Sequence, residues 1–456
     1  MSVEAEGQVE AIDAPVEGVR LAEEHIRPAF RKELDDLLRG RADPRPQPSD
    51  DRAIFGLADK AVRDYHAATA RSASLPRLSR VQYWEIRQRL YVTHGALGPL
   101  GELLAIEGVE DIHINGTRGG YLNFGDRRKP LPYEYASEDD LITLVRFYAE
   151  QAGKHFDPSN PMVTVTLRDG SRLNAILPPT AKPLAITIRK QQLRRFMKLE
   201  DLVAEGALPS QAVPLLQTAV RGRLNVIISG PTGTGKTTLA RVLALMIPDD
   251  ERTCVLETET ELWLHELRED FISLEERDAN VEGSGRITLQ DLFQRGALRQ
   301  RPERIIVGEV RGKEALDMIH AMTSGHDGSL TTLHASGPRT ALHRLEMLAM
   351  SADSNLAPQV VRSMVGSGVD LVVHLGVFTR GRQKVRRLSG LAFVDENPED
   401  PNGTPVVAEL ATYRPELDGW TWNEVNLRHM PAKVWRKLEA ADEDPERTVR
   451  EMLASG

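Results

Sequence analysis

The sequence predicts an α/β protein with a parallel sheet in its C-terminal half and a smaller mixed α/β domain before it. Three nearly continuous apolar runs, Leu224–Ser229, Thr253–Glu257 and Arg304–Val307, alternate with helical segments in the C-terminal half. One of these helices is predicted over Thr288–Arg299, with a capping box formed by Thr288 and Asp291. Runs of this kind are typical of strands that helices cover on both faces. In the N-terminal half, shorter alternating runs separated by turn residues predict an antiparallel sheet.

The antiparallel sheet is predicted from five short stretches, four of which form two pairs. Asp111–Asn115 and Tyr121–Phe124 flank two glycines, and MVTVTL and SRLNAIL flank Arg168–Gly170. Both arrangements indicate hairpins. Leu184–Lys190 adds a further strand.

Shifts in composition divide the chain into five segments. Residues 1–50 are acidic and proline-rich at their ends and are predicted to be largely disordered, apart from one helix around Ile26–Leu38. The other four are a helical region (51–100), the mixed α/β domain (101–196), the parallel-sheet domain (197–396) and a C-terminal extension (397–456). The extension is predicted to contain a hairpin around Asp418–Gly419 and two short helices.

Composition limits the class of protein. The formal net charge of −9 argues against a chain whose main partner is nucleic acid. The single cysteine, Cys254, fits a reducing compartment. The sequence shows no signal peptide and no apolar run long enough for a membrane helix. We therefore expect a cytoplasmic protein without direct membrane insertion.

Residues 230–237 form the strongest motif. Gly230-Pro231-Thr232-Gly233-Thr234-Gly235-Lys236-Thr237 fits G-x-x-x-x-G-K-[ST] and lies between an apolar strand and a helix that begins with Thr237 and Thr238. Glycines let successive N–H groups surround a phosphate. Lys236 is expected to neutralise β- and γ-phosphate oxygens, and Thr237 to ligate Mg²⁺. The motif therefore predicts binding of ATP with Mg²⁺.

Other nucleotide-binding classes fit less well. A GTPase would carry an N/T-K-x-D segment, which is not found downstream. The LSG sequence at 388–390 follows the second acidic strand instead of preceding it, so it is better interpreted as a strand or turn than as a transporter signature.

Two acidic strand ends are candidates for catalysis. The run VLETETE ends a strand at Glu257, and RIIVGEVR delivers Glu309 to the carboxyl end of another strand, where open parallel sheets bind ligands. A surface carboxylate paired with Arg311 is the alternative for Glu309.

A histidine-containing segment follows. GHDGSLTTLHA holds His326 and His334; core or turn roles are the alternative for both. A strand that ends at His334 would bring this imidazole beside the terminal phosphate.

The order of these motifs resembles the type II/IV secretion-system ATPase superfamily, and most closely its tight-adherence (Flp) pilus branch. The resemblance rests on GPTGTGKTT, the acidic run, RIIVGEVRG and GHDGSLTTLHA, and extends upstream to GPLGELLAIEGVEDIHING and DGSRLNAILPP. It covers roughly residues 97–380. It implies a RecA-like ATPase domain after a smaller N-terminal domain, with nucleotide between them.

The resemblance also implies roles for individual residues. Lys236 and Thr237 match the Walker A pair, Glu309 the water-positioning glutamate, and Glu257 the acidic-box glutamate, so that Thr237, Glu257 and Glu309 hold Mg²⁺, partly through water. His326 and His334 match the histidine box. Arg172 and Arg189 match arginines of the N-terminal domain that reach the γ-phosphate. The acidic box departs from the family, because Glu257 is followed by Thr258 instead of aspartate.

The implied function is a homo-hexameric motor that works with inner-membrane platform proteins at the cytoplasmic face of the membrane. Two alternatives stay open. The basic cluster of Arg189, Lys190, Arg194, Arg195 and Lys198 is compatible with a conjugation-type motor that handles DNA. Thr258 is compatible with a nucleotide-binding scaffold that does not hydrolyse ATP.

Overall fold

The structure is a computed structural model in which two compact units are resolved, residues 1–192 and 193–456. It describes residues 16–41, 46, 48–72, 74–94, 99–124, 127–132, 137–191, 197–277, 279, 284–353, 355–381, 383–441 and 443–454. Arg194 and Arg195 of the predicted basic cluster lie outside the described residues.

The first unit combines a helical region with an antiparallel sheet. Its helices are α1 (Val16–Leu38), α2 (Asp51–Thr69), α3 (Arg80–His94), α4 (Pro99–Ala105) and α5 (Glu138–Gln151). Its strands are β1 (Asp111–Asn115), β2 (Gly120–Phe124), β3 (Arg127–Pro130), β4 (Met162–Thr166), β5 (Arg172–Ile176) and β6 (Ala185–Arg189). The sheet order is β3-β2-β1-β6-β5-β4, with antiparallel pairing throughout.

Helix α1 corrects the prediction for the N-terminal segment. It begins at Val16, ten residues before the predicted helix, and buries Val19, Ala22, Ile26 and Phe30. These residues recur at helical spacing, and their burial in the core of this unit stabilises the longer helix.

The second unit is built on a nine-stranded sheet. Its helices are α6 (Leu199–Ala204), α7 (Ala212–Arg221), α8 (Lys236–Ala244), α9 (Leu264–Leu267), α10 (Leu289–Asp291), α11 (Glu314–Thr323), α12 (Pro338–Ala352), α13 (Pro358–Gly368), α14 (Glu424–Arg428), α15 (Ala432–Ala440) and α16 (Pro445–Ala454). Its strands are β7 (Val226–Ser229), β8 (Thr253–Glu257), β9 (Phe271–Glu275), β10 (Arg304–Val307), β11 (Leu330–Leu333), β12 (Leu371–Arg380), β13 (Gln383–Asp395), β14 (Val406–Arg414) and β15 (Gly419–Trp422).

The sheet order is β15-β14-β13-β12-β7-β11-β10-β8-β9. The six strands from β12 to β9 pair in parallel, and the other pairs are antiparallel. Strands β7, β8, β10 and β11 are fully buried, and two apolar clusters lie on the two faces of the sheet. The predicted α/β class is therefore confirmed.

The C-terminal segment differs from its prediction. Strands β14 and β15 complete the same sheet beside β13, and three helices follow instead of two. The predicted hairpin at Asp418–Gly419 is present, with Asp418 at a left-handed φ of 46°.

The predicted helix over 288–299 is also irregular. Thr288 and Asp291 form the expected capping box, but the backbone then passes through a π turn at Leu292–Gly296 and a 3-10 turn at Ala297–Arg299. Gly296, which costs helix stability, lies at this change of winding.

Candidate functional site

Parallel pairing brings the phosphate loop and three further predicted residues to one edge of the sheet in the second unit. The phosphate loop, Gly230–Thr237, follows β7, and Glu257 ends β8. Glu309 lies two residues after β10, and His334 directly after β11. Because these strands are parallel neighbours, their carboxyl ends share an edge, as expected for ligand sites in open α/β sheets.

The Lys236 ammonium holds the phosphate loop in a wrapped conformation. Its Nζ donates to the Gly230 carbonyl at 3.0 Å and to the Pro231 carbonyl at 3.1 Å. Thr234 Oγ1 also donates to Pro231, at 2.9 Å. Burial lowers the pKa of Lys236, and the nearby Glu309 carboxylate opposes this shift. A phosphate would relieve the cost of burying this cation.

Glycine is required where the loop begins. Gly230 has a φ of +153°, and a Cβ there would lie 2.4 Å from the Leu375 carbonyl oxygen. Gly233 and Gly235 have left-handed φ values of +76° and +96°, which residues with a Cβ rarely adopt. Thr237 and Thr238 are partly buried at the start of α8.

Glu257 is almost completely buried beneath this edge. Its Oε1 accepts hydrogen bonds from the backbone N–H groups of Glu261 at 3.0 Å and Leu262 at 2.9 Å, whereas its Oε2 is buried with no hydrogen-bond partner in the described part of the chain. Burial raises the pKa of Glu257 to about 7, although the two backbone bonds oppose the shift. Thr258 points to solvent.

The position of Glu257 explains the glycine that precedes Glu309. A Cβ on Gly308 would lie 2.9 Å from Glu257 Cγ. An aspartate at 308 would therefore compete with Glu257 for the same space.

Glu309 and His334 contact each other at the ends of their strands. His334 Nε2 lies 3.1 Å from Glu309 Oε1, and Arg311 donates to Glu309 Oε2 at 2.5 Å. Burial and the Lys236 charge lower the pKa of His334, against the opposing effect of Glu309. A neutral imidazole protonated on Nε2 can therefore donate to Glu309. Glu309 does pair with Arg311, as the surface alternative expected, but it is half-buried and also contacts His334.

The residues present fit a magnesium ion. Thr237 Oγ1 lies 3.4 Å from Glu261 Oε2, and Glu257 Oε2 is the orphaned buried oxygen that a metal-bound water would satisfy. Among the residues that the structure describes, no group of three or more His, Cys, Asp or Glu side chains forms a complete metal site. Mg²⁺ at nucleotide sites takes one or two protein ligands and fills the rest of its octahedron with phosphates and water.

The structure does not bring His326 to this edge. It lies before β11, whereas the phosphate loop follows β7, so the two are at opposite ends of paired parallel strands. The His326 backbone N–H donates to the Ala321 carbonyl, and its own carbonyl accepts from Ser329 Oγ. Within this unit His326 is positioned as a turn residue, and its catalytic role stays a prediction.

Arg172 and Arg189 belong to the first unit. They are direct cross-strand neighbours on β5 and β6, and both are exposed. Arg189 Nε donates to Asp111 Oδ1 at 3.1 Å. Their predicted contact with the γ-phosphate stays a prediction. The adjacent Lys190 does not join a basic surface, because its Nζ donates to the Ile106 carbonyl at 3.0 Å.

Three residues of this edge were missed by sequence reasoning. Buried Arg241 donates to the carbonyls of Glu261 and Leu262, which fixes the segment after Glu257. His374 Nδ1 lies 2.8 Å from Ser229 Oγ, and Arg386 Nε donates to the Gly233 carbonyl at 2.8 Å. Arg241 could have been found from the sequence, because it is a charged residue within the apolar helix α8. His374 and Arg386 could not, because their contacts depend on strand pairings that the sequence does not reveal.

Comparison with known proteins identifies the family of this chain. The model of the family described as "Type II/IV secretion system protein" matches residues 109–433. The chain belongs to the type II/IV secretion system family. This match includes the phosphate loop, both acidic strand ends and the histidine segment, so the resemblance and the RecA-like fold class inferred from these motifs are confirmed. The tight-adherence branch stays a prediction.

Several relatives have names from secretion or conjugation. A protein of Mycobacterium tuberculosis (strain ATCC 25618 / H37Rv), named provisionally as a conjugal transfer protein, is 32% identical over 64% of this chain and 84% of its own length. VirB11 of Agrobacterium fabrum is 29% identical over 61% and 87%, and the type IV secretion system protein PtlH of Bordetella pertussis is 31% identical over 59% and 86%. Among solved structures, the VirB11 ATPase of Brucella suis is 25% identical over 69% of this chain and 98% of its own, with a TM-score of 0.35.

None of the helices in the described ranges is long and apolar enough to cross a membrane.

Proposed function

We propose that this secretion-family protein hydrolyses Mg-ATP at the edge defined by the phosphate loop, Glu257, Glu309 and His334. The observation that carries the proposal is the convergence of these groups at the ends of neighbouring parallel strands. A phosphoryl transfer site needs positive charge at the phosphates and a group that orients the attacking water. Lys236 and the glutamate Glu309 have the chemistry for these two tasks.

The contacts suggest how the residues divide the work. The phosphate loop would bind the β-phosphate through backbone N–H groups, and Lys236 would exchange its carbonyl partners for phosphate oxygens. Glu309 would accept a hydrogen bond from the attacking water while His334 orients its carboxylate. Arg172 or Arg189 would add positive charge at the γ-phosphate.

Magnesium would be held by Thr237 and, through water, by Glu257 and Glu309. When bound, it supplies positive charge to the β- and γ-phosphate oxygens. The orphaned oxygen of Glu257 is the support for this assignment within the described residues.

The work done by hydrolysis is proposed from the family and its relatives. Names such as VirB11 and PtlH of type IV secretion systems support a motor for protein export or pilus assembly. We propose a homo-hexamer at the cytoplasmic face of the membrane that acts through inner-membrane platform proteins.

Substitution of Lys236 tests the nucleotide site. Lys236→Ala removes the ammonium group that is hydrogen-bonded inside the phosphate loop. We therefore expect ATP affinity to fall at least about tenfold and the rate of phosphate release at least about a hundredfold. Release can be measured with a coupled phosphate assay and affinity with a fluorescent ATP analogue. Lys384→Ala, at an exposed lysine of the same unit, is the control. Activity near wild type in Lys236→Ala would contradict the proposed site.

A DNA-transfer motor is the second candidate, because TrbB of Rhizobium radiobacter, named a conjugal transfer protein, is 34% identical over 50% of this chain and 67% of its own length. Arg189 and Lys190 are already bonded within the first unit, which weakens the basic cluster as a phosphate surface. A salt titration of DNA binding separates the candidates, since phosphate contacts give a steep loss of affinity with salt. DNA affinity that does not change with salt, or no DNA binding at all, would favour the protein-export motor over the DNA-transfer motor.

A further inference from the structure

The β12–β13 hairpin extends beyond the end of β7, the strand that precedes the phosphate loop. Strand β7 pairs with β12 only from Leu371 to His374, whereas the hairpin continues to Arg380 and returns from Gln383. The part of the hairpin beyond His374 therefore lies beside the phosphate loop. The Leu375 carbonyl would be 2.4 Å from a Cβ on Gly230, so the loop packs closely against this hairpin.

Arg386 makes a direct contact from this hairpin to the middle of the loop. Its Nε donates a 2.8 Å hydrogen bond to the carbonyl of Gly233. Gly233 has a φ of +76°, and apart from its chain neighbours no atom lies within 4 Å of the position of a Cβ there. The Thr234 side chain is buried and bonded to the Pro231 carbonyl, whereas the Gly233 side of this peptide has no side chain to pack, and the arginine contact restrains its carbonyl.

The hydrogen bond from Arg386 to the Gly233 carbonyl also affects the direction of the next N–H group, which can bind an anion. In a planar trans peptide, the C=O of one residue and the N–H of the next point in opposite directions. When Arg386 holds the Gly233 carbonyl, it turns the Thr234 N–H away from the hairpin. Phosphate-binding loops depend on such backbone N–H groups pointing together at the anion. A free Gly233 peptide could rotate and present its carbonyl oxygen to the phosphate instead.

The C-terminal hairpin supports Arg386 from behind. Asp418, in the turn between β14 and β15, lies 2.6 Å from Arg380 and 3.7 Å from Arg387 at their guanidinium nitrogens. Arg387 also donates to the Arg386 carbonyl at 2.9 Å. Trp420 Nε1 donates to the Leu388 carbonyl at 2.6 Å. The strand that carries Arg386 is thus anchored directly after it, at Arg387 and Leu388, and the partner strand β12 is anchored at Arg380.

We propose that Arg386 is a positioning residue for nucleotide binding, which orients the Gly233–Thr234 peptide and so holds the phosphate loop ready for the diphosphate of ADP or ATP. This inference rests on the proposed function of the loop. It also gives the segment beyond residue 396 a role, because that segment supports the hairpin.

The test compares three variants of the full-length chain with wild type. Arg386→Ala removes the contact, and Arg386→Lys keeps the charge but loses the planar guanidinium. Lys384→Ala removes an equal charge two residues away on the same exposed strand, so it measures the general electrostatic effect of the hairpin on a phosphate ligand. Kd for ADP and the KM and kcat for ATP are measured for each, with circular dichroism and thermal unfolding as checks of folding.

We expect Arg386→Ala to raise the Kd for ADP on the order of tenfold, as for loss of one charge-assisted hydrogen bond. KM should rise similarly while kcat at saturation stays within about twofold, because bound nucleotide itself orders the loop. Arg386→Lys should recover part of the affinity, and Lys384→Ala should change it by less than about twofold.

Two results overturn the inference. Affinity within twofold of wild type in Arg386→Ala would show that the contact does not order the loop. An equal loss in Lys384→Ala would assign the effect to general charge. Failure of the proposed function would look different, because wild type itself would then release no phosphate from ATP, whatever its affinity for ADP.

Discussion

His374 is a buried imidazole directly behind the phosphate loop. It lies opposite Ser229 in the β7–β12 pair and contacts the Ser229 hydroxyl through Nδ1. Burial, and then the nearby Lys236 ammonium, lower the pKa of His374 to about 4. The neutral ring can sit beside the cation of the loop, whereas a protonated ring would repel it.

This shift predicts how acid affects stability. Because the folded pKa is below the unfolded value of about 6.5, the unfolded state binds more protons between pH 4 and pH 6.5, and folding free energy is lost as the pH falls through this window. The substitution His374→Asn would keep a hydrogen-bonding group near Ser229 and remove the titrating one. We therefore expect the melting temperature of His374→Asn to fall less steeply than that of wild type from pH 7 to pH 4.5.

The measurement is thermal unfolding of the nucleotide-free proteins at several pH values. The other histidines are present in both proteins, so their contributions to the pH dependence of the melting temperature cancel in the difference between the two curves. Parallel curves for wild type and variant across the window would contradict a buried neutral imidazole.

At the scale of residues, the sequence predicted the groups that form local motifs. Glu257, Glu309 and His334 each lie at or just after the end of a recognisable strand, and Lys236 lies in the loop that follows another; parallel pairing brings them to one edge. The reason for Gly308 was not predictable, because it depends on the Glu257 side chain about fifty residues earlier in the chain.

Among the elements, helix α15 is fixed to the sheet by a buried ion cluster. Asp370, which is fully buried just before β12, lies 2.6 Å from Lys437 Nζ and 3.5 Å from Lys433 Nζ. The Asn225 N–H also donates to Asp370 at 2.8 Å, and Lys437 reaches Asp327 at 2.6 Å. One carboxylate thus joins the start of two strands to a C-terminal helix.

Removal of this carboxylate should be costly. Asp370→Ala would leave two partly buried lysines without their shared partner, and loss of one side of a buried pair costs about 3 to 5 kcal/mol. We expect this loss in the free energy of unfolding, measured with urea. As a control, Glu399→Ala removes an exposed carboxylate from the loop between β13 and β14. This substitution should change the free energy of unfolding by less than about 0.5 kcal/mol. Equal stabilities for the two variants would show that the cluster does not hold α15.

At the scale of elements, the central strands and the antiparallel hairpins were predictable because each is a short run with its own period and turn residues. The C-terminal strands were harder to predict. β14 and β15 carry mixed residues, since β14 is only half-buried, and the sequence does not show that they extend an existing sheet. The predicted helix over 288–299 was wrong in detail, because its winding changes to a π turn that ends at Gly296, a residue that weakens a regular helix.

At the scale of the whole molecule, family membership covers both units, since the matched region runs from residue 109 to residue 433. The helical region before it buries its own apolar face in the core of the first unit. Which machine the protein serves depends on surfaces and partners, so the sequence alone could not decide between export and conjugation.

We propose that the protein turns over ATP because Glu309 orients water at the edge where Lys236 binds phosphate. Phosphate release by Glu309→Gln, measured together with ATP affinity, tests it most directly. Glutamine keeps the shape but is a poor proton acceptor, so we expect ATP binding within about threefold of wild type and phosphate release reduced at least about a hundredfold. Release at the wild-type rate by a variant that binds ATP normally would contradict the account.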